Sequence, residues 1–385
     1  MSRRDEMLAL TQRAFTHFQN GTTDQAASTM AIPIDAYVDP ARYAREVERI
    51  FKHLPLALAL SIEIPNAGDY RAMSMLDVPV LIIRGKDGKA RAFLNACRHR
   101  GARICQLGTG HARVFTCPYH AWVYDDCGKL VNRYAADTFG DVDHAKLGLT
   151  PLYCEERVGL VYVGLTPGET FDIDEWLGDF ATELSHLKLD QWSIFEQREL
   201  DGPGWKVALD GYLEAYHHNS LHGKTVGKLT VGNLLVLDTY VAHQRLTFGR
   251  KSLADLGSQS ESEWDSDKHI RLIHNCFPNL SISGILGDHC LVSQIFPSLT
   301  SDSTITRQTV LVATPPQTQE ARAASELFSA MVLQAVRDED YAVGRTIQDG
   351  LRSGANHEFI LGRNEPAVQN YHRTIARLME IPVSR

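Results

Sequence analysis

The sequence is poor in cysteine, with seven in 385 residues and no regular spacing between them. Disulfide scaffolds need many cysteines in a short chain, so that class is set aside. Positive charge is not in surplus either. The 39 Lys and Arg against 47 Asp and Glu leave a formal net charge of −8. That balance argues against nucleic acid as the main partner, because phosphate binding needs a basic face. No run of about 18 apolar residues occurs, so no membrane-spanning helix is expected. The opening MSRRDEMLALTQRAF has basic residues but no apolar stretch of signal length. Internal repeats, low-complexity tracts and long linkers are also absent. The expectation is a cytoplasmic protein without nucleic-acid or membrane partners. What remains is ordinary for a globular chain: 44% of residues are apolar and 22% charged, enough to bury a core.

At about 100–200 residues per domain, the length predicts two or three domains. Helical spacing of Met7, Leu8, Leu10, Phe15 and Phe18 predicts a helix over 3–19. DPARYAREVERIFKHL predicts a second, over 39–54, with Asp39 as N-cap and Pro40 in the first turn. From about 55 to 165, β-prone pieces such as VPVLIIRG and VGLVYVGL alternate with Gly- and Asp-rich turns, as in a small antiparallel β domain. A helix is expected over 205–225. Strands return over 235–315, among them LLVLDTYV, LSISGIL and STITRQTVLVAT. A long helix follows Pro315-Pro316. The coarse reading is α+β: a β domain beside a larger domain of antiparallel sheet and helices.

Two clusters carry chemistry. The first is Cys97-x-His99, then 17 residues, then Cys117-x-x-His120. Two Cys and two His on paired loops suit tetrahedral zinc, or an iron–sulfur centre in which two His replace two Cys on one iron. Each pair here mixes one Cys with one His, whereas zinc fingers keep the two types apart. Cys105 and Cys127 lie nearby and read as small buried apolar residues. The second cluster, WKVALDGYLEAYHHNSLHG, holds Asp210, Glu214, His217, His218 and His222. Three His beside two carboxylates suit a metal. Ideal helical spacing favours His218 with His222; His217 and His222 lie about 140° apart on a helix. Pairing those two needs a helix that loosens or ends near Gly223.

The run CRHRG…CPYHAWVYDDCGKL resembles the Rieske [2Fe–2S] motif, and WKVALDGYLEAYHHNSLH resembles the catalytic signature of Rieske non-haem iron oxygenases, the aromatic ring-hydroxylating alpha (terminal oxygenase) subunits. The resemblance runs from the 39–54 helix to GRNEPAVQNYHR. It implies Cys97 and Cys117 on one iron of a [2Fe–2S] cluster and His99 and His120 on the other. It also implies a mononuclear Fe(II) held by His217, His222 and a carboxylate of the C-terminal helix, with His218 left out. An Asp eight residues before a Gln selects Asp340, with Gln348; Asp338 is the second choice. The implied architecture is an N-terminal helical segment over 1–40, a Rieske domain over 41–165 and a catalytic domain of helix-grip type over 166–385.

Three departures stand out. Gly204 replaces the usual Asn before Trp205, and Gly211 stands where Asn is common. Glu214 occupies the position of a carboxylate, often Asp, that bridges the two metal centres across a subunit interface, from His217 to His120. Glu occurs there in a subgroup acting on quaternary ammonium compounds. The implied partners are a reductase or ferredoxin, O2 and a small organic substrate, within a homotrimer that in some members adds a beta subunit. Arg98, Arg100, Arg103 and Arg113 could dock an acidic electron donor. The implied activity is hydroxylation of a hydrophobic aromatic or alicyclic substrate. The alternatives are oxidative demethylation or hydroxylation of a quaternary ammonium compound, an electron-transfer protein with only the cluster, and a zinc-stabilised binding protein.

Overall fold

The computed structural model describes residues 2–283 and 288–382. The chain forms two compact units, Val47–Gln191 and a discontinuous one of Met1–Glu46 with Trp192–Arg385. By contact, then, the first 46 residues belong with the C-terminal half. They do not stand apart as a segment over 1–40. The α+β expectation holds: the strand pairs are antiparallel and helices accompany the larger sheet. No helix among the described residues is long and apolar enough to cross a membrane.

In the Val47–Gln191 unit, β-branched runs become strands. Val78–Arg84 pairs with Asp69–Met75 on one side and Ala90–Leu94 on the other, inside a five-stranded sheet. Leu160–Val163 pairs with Leu56–Leu60, and both strands are buried throughout. A third, small sheet joins Phe115–Thr116, Val123–Tyr124 and Leu130–Asn132. Phe93, Phe115, Trp122 and Tyr124 pack in one core with Cys97, Cys105 and Cys117. The two ligand loops are therefore anchored in the hydrophobic core and not hung from its surface.

In the other unit, seven antiparallel strands form one sheet. Its order is Ser193–Pro203, Ser303–Val312, His289–Pro297, Leu280–Ser283, Ile270–Cys276, His243–Arg250 and Thr230–Tyr240. Of the expected strand LSISGIL, the last part, 284–286, lies outside the described residues. The helix Arg3–Asn20 begins in a capping box, with Ser2 Oγ accepting from Asp5 N at 3.2 Å, and ends at Gly21 with φ 63°. Its Leu10 and Ala14 bury against Leu234, Val236 and Trp264. The helix after Pro315-Pro316 is Gln319–Leu333. Its Phe328 and Val332 pack on Leu291 and Val310 of the sheet, a burial that stabilises by roughly 1.5–3 kcal/mol per side chain. The chain then widens into a π segment, Gln334–Asp340, before Tyr341–Ser353 resumes the α-helix. Such widenings are rare and frequent at functional sites.

Candidate metal centres

Cys97 and Cys117 start parallel structures. Gly101 N donates to Cys97 O at 2.8 Å, and Ala121 N to Cys117 O at 3.0 Å, so each cysteine opens a tight turn. Ala121 takes a positive φ of 50° to close the second. Tyr124, buried in the core, ties the first loop down: its hydroxyl lies 3.3 Å from Cys97 Sγ and accepts from Arg98 N at 3.0 Å. Burial raises the Cys97 thiol above its ordinary range, the direction expected when no cation stands beside the sulfur. A metal would reverse it.

His99 and His120 face each other, ring centroids 4.6 Å apart, and His99 stacks on Trp122 at 5.0 Å. Among the described residues His99 Nδ1 is buried without a hydrogen-bond partner. A buried, unpaired imidazole nitrogen beside two buried thiols fits a metal ligand. A single tetrahedral ion would draw its ligand atoms within about 4 Å of one another. Among the described residues, the groups that bring three ligand atoms within 4.8 Å do not include Cys97, His99, Cys117 and His120. The wider spacing suits a two-iron cluster. Cys105 is buried as expected, whereas Cys127 is exposed, not a small core residue. Arg98, Arg100, Arg103 and Arg113 are all exposed.

Of the second cluster only Asp210 is on a helix. The expected helix over 205–225 ends at Tyr212, ten residues before His222. The Glu214 carboxylate then captures the next turn, accepting from the backbone N–H groups of Tyr216 and His217. Glu214 Oε1 also accepts from His217 Nδ1. Freed from helical phase, His217 and His222 turn toward each other, their Nε2 atoms 3.0 Å apart. Asp340 Oδ1 lies 3.0 Å from His222 Nε2 and 3.5 Å from His217 Nε2. These three residues form a group whose ligand atoms lie within 4.8 Å of one another. Metal–nitrogen bonds of about 2.1 Å at right angles put neighbouring ligand atoms about 3 Å apart. The three atoms thus match one face of an octahedron. With both Nδ1–H groups donating to carboxylates, two imidazole Nε2 atoms and a carboxylate point together, an arrangement that suits a bound cation.

His218 turns away. Its ring packs on Phe248 at 5.3 Å, and its Nδ1 is 3.4 Å from Thr230 Oγ1. Burial, with the two neighbouring imidazoles, holds it well below the usual imidazole range. Asp338 is also excluded from the cluster, since it pairs with Arg337 at 2.6 Å on the surface. Asp210 faces elsewhere, accepting from Tyr37 at 2.7 Å and lying 3.0 Å from His372 Nε2.

Sequence reasoning missed Glu339. Its Oε2 lies 2.6 Å from His222 Nδ1 and accepts from Thr225 Oγ1 at 2.5 Å. Glu339 orients His222 as Glu214 orients His217. The departure at Gly204 also has a cause. A Cβ there would meet the Ser301 carbonyl oxygen at 2.3 Å and Gln348 Oε1 at 3.0 Å, while Gln348 accepts from Gly204 N at 3.2 Å. A Cβ on Gly211 would meet open space.

The ligand cluster opens on a cavity of about 160 Å³. Leu229, Phe248, Ile273, Leu291, Phe328 and Val332 supply apolar walls. A carboxylate–imidazole face beside an apolar cavity defines a site for oxidising a hydrophobic molecule at a metal. Residues 189–381 match the family model of the ring hydroxylating alpha subunit (catalytic domain), and residues 55–144 that of the Rieske [2Fe–2S] domain. The chain belongs to the ring-hydroxylating alpha subunits, the Rieske non-haem iron oxygenases, which pair a [2Fe–2S] domain with a domain that binds mononuclear iron.

The carnitine monooxygenase oxygenase subunit of Escherichia coli K12 is 27% identical over 329 residues, 84% of each chain. The glycine betaine monooxygenase oxygenase subunit of Chromohalobacter salexigens is 31% identical over 201 residues, 52% of this chain and 44% of that one. The biphenyl 2,3-dioxygenase subunit alpha of Rhodococcus jostii is 37% identical over 189 residues, 47% and 41%. In the last two matches the chain spans less than half the relative's length. In fold, the chain is similar to a quaternary ammonium Rieske monooxygenase solved with an inhibitor, with a TM-score of 0.79 at 23% identity over 92% of this chain and 96% of that one.

Proposed function

We propose that this chain is the terminal oxygenase component of a multicomponent system, and that it hydroxylates a hydrophobic aromatic or alicyclic substrate. The observation that carries the reading is the convergence of His217, His222 and Asp340 on one wall of an apolar cavity. In this reading the three hold the mononuclear Fe(II), and Cys97, His99, Cys117 and His120 hold the [2Fe–2S] cluster. A 2-His-1-carboxylate iron, when bound, leaves positions open for O2 and substrate, and the cluster supplies electrons one at a time.

The protein's own residues do the arranging. Glu214 and Glu339 each accept a hydrogen bond from an Nδ1–H, which fixes both rings with Nε2 toward the cavity and raises their basicity. Phe248, Leu291 and Phe328 exclude water and seat the apolar body of the substrate. Tyr119, Tyr134, Leu107 and Val114 are exposed in the unit that carries His99 and His120, and the four arginines lie beside the loops. Exposed apolar and basic side chains of this kind suit a docking partner. The partners assigned are a ferredoxin or reductase donor and two further copies in a head-to-tail trimer, in which Glu214 meets His120 of a neighbouring subunit. A cytoplasmic location is part of the proposal. The domain reading is a Rieske domain over 41–165 and a catalytic domain over 166–385, while by contact residues 41–46 go with the C-terminal unit and 166–191 with the unit that carries the cluster ligands.

A second reading, oxidation of a quaternary ammonium compound, is favoured by Glu214 and by the likeness to the carnitine enzyme over 84% of both chains. An electron-transfer protein with the cluster alone is disfavoured, because it would have no use for the second ligand group. O2 uptake by the reconstituted system, screened against aromatics, alicyclics and methylammonium compounds with product mass, tests the reading. Uptake stimulated by a ring compound, with oxygen gained in the product, supports it. Stimulation by methylammonium compounds alone overturns it in favour of the second reading.

A further inference from the structure

Resting on the oxygenase reading, the same cavity points to the kind of substrate. The register of the seven-stranded sheet decides which side chains face the ligand cluster. Phe248 pairs with Arg271, and Thr230 pairs with Arg250. Directly opposed residues share a face of a sheet, as do residues two apart. Phe248, Arg250, Arg271 and Ile273 therefore share one face, and all four line the cavity beside His217, His222 and Asp340. Two guanidiniums thus stand beside the apolar side chains of Phe248 and Ile273, with Thr230 and Ser283 also in the lining.

Their hydrogen bonds do not account for them. Arg250 Nη1 donates to Lys268 O at 3.3 Å. Arg271 Nη1 donates to the carbonyls of Ile270, at 2.6 Å, and Asp267. Among the described residues Arg271 Nε is buried without an acceptor. Each guanidinium carries five N–H donors, so most remain unspent. Among the described residues the Asp267 carboxylate acts on Arg271, but more weakly than burial or the charge of Arg250. Burial, then the charge of Arg250, pushes Arg271 down to about 9. Two like charges held together in a partly desolvated wall cost free energy that a bound anion recovers.

We propose that Arg250 and Arg271 form a carboxylate-binding subsite and that the substrate is an apolar acid, an aromatic or alicyclic carboxylate. Its ring lies against Phe248, Leu291 and Phe328, and its carboxylate meets the two guanidinium forks. A planar carboxylate matches that fork in geometry as well as charge. A cation without a carboxylate meets two like charges, and a neutral hydrocarbon leaves both uncompensated. The arginines act as specificity-determining residues and fix which carbon of the ring faces the ligand cluster.

Calorimetric titration of the protein with both metal centres loaded tests this, using benzoate, cyclohexanecarboxylate, benzyl alcohol and choline as probes. The two carboxylates should bind about tenfold or more tighter than benzyl alcohol, and choline weakest. Arg271→Gln and Arg250→Gln should each weaken carboxylate binding about tenfold or more while leaving benzyl alcohol unchanged, which also shows that the cavity is intact. Arg271→Lys, keeping the charge but losing the fork, should fall between. Benzyl alcohol or choline binding as tightly as benzoate, no carboxylate binding at all, or a carboxylate preference that survives both Gln variants would overturn the proposal. A failure of the oxygenase reading is distinguishable, since it would show as no O2 uptake with the carboxylate bound.

Discussion

Replacing Glu339 by glutamine keeps the side chain's shape and removes its charge. In the wild type its Oε2 lies 2.6 Å from His222 Nδ1 and receives Thr225 Oγ1 at 2.5 Å, and Oε1 accepts from Gln334 at 3.3 Å. His222 is almost fully buried, so water cannot replace the lost partner. Charge-assisted hydrogen bonds are roughly twice as strong as neutral ones. Loss of a carboxylate behind a ligand imidazole typically costs 10–100-fold in metal affinity. Glu339→Gln, which can still offer an amide oxygen, should fall at the low end: about tenfold, or ~1.4 kcal/mol. Glu339→Ala also strands the His222 Nδ1–H and the Thr225 hydroxyl, and should approach about 100-fold, or ~2.8 kcal/mol. The assay is chelator competition for the mononuclear iron. The visible Rieske spectrum is an internal control, because the cluster ligands lie in the other compact unit. Variants that hold iron with wild-type affinity would refute the reasoning, as would variants that lose the cluster along with the iron.

His218→Ala should retain the mononuclear iron while His217→Ala loses it, read as iron per chain; the reverse result would mean that helical spacing was the better guide. Glu214→Gln should keep both centres yet slow electron transfer between them, measured as single-turnover reoxidation of the reduced cluster with substrate and O2. Reoxidation at the wild-type rate would show that no bridge is needed there. Gly204→Ala places a Cβ 2.3 Å from the Ser301 carbonyl oxygen. It should destabilise by about 1–3 kcal/mol, seen as a lowered Tm, and an unchanged Tm would contradict the clash.

Much of the candidate site was legible because its candidate ligands come in short, chemically mixed clusters. Cys97-x-His99 and Cys117-x-x-His120 needed no helical phase to be read, since each pair sits on a loop. The second cluster was legible only through resemblance. Periodicity alone selected His218 and His222, because it assumes an unbroken helix. The helix stops at Tyr212, where Glu214 takes up backbone N–H groups that a further turn would have used. Nothing in spacing shows where a side chain will compete with a helix in this way. Glu339 was hidden for a related reason. Neighbouring residues on an α-helix point about 100° apart, so Asp340 toward the cavity implied Glu339 toward solvent. Both lie in the π segment Gln334–Asp340, where that phase does not apply, and both reach His222. The arginine pair escaped notice because Arg250 and Arg271 are 21 residues apart in sequence; only the register Phe248↔Arg271 brings them onto one face. The association of the first 46 residues with the C-terminal half was likewise invisible. A helix carrying Leu10 and Ala14 shows that it packs, but not on what.

The central claim is that one chain holds two different metal centres with separate ligand sets. Iron and acid-labile sulfide, counted per chain in the wild type, Asp340→Ala and Cys117→Ala, test it most directly. The account predicts roughly three irons and two sulfides in the wild type. Asp340→Ala should drop to about two irons with sulfide unchanged, and Cys117→Ala should lose the sulfide. Zinc without sulfide in the wild type, or iron unchanged in Asp340→Ala, would contradict it.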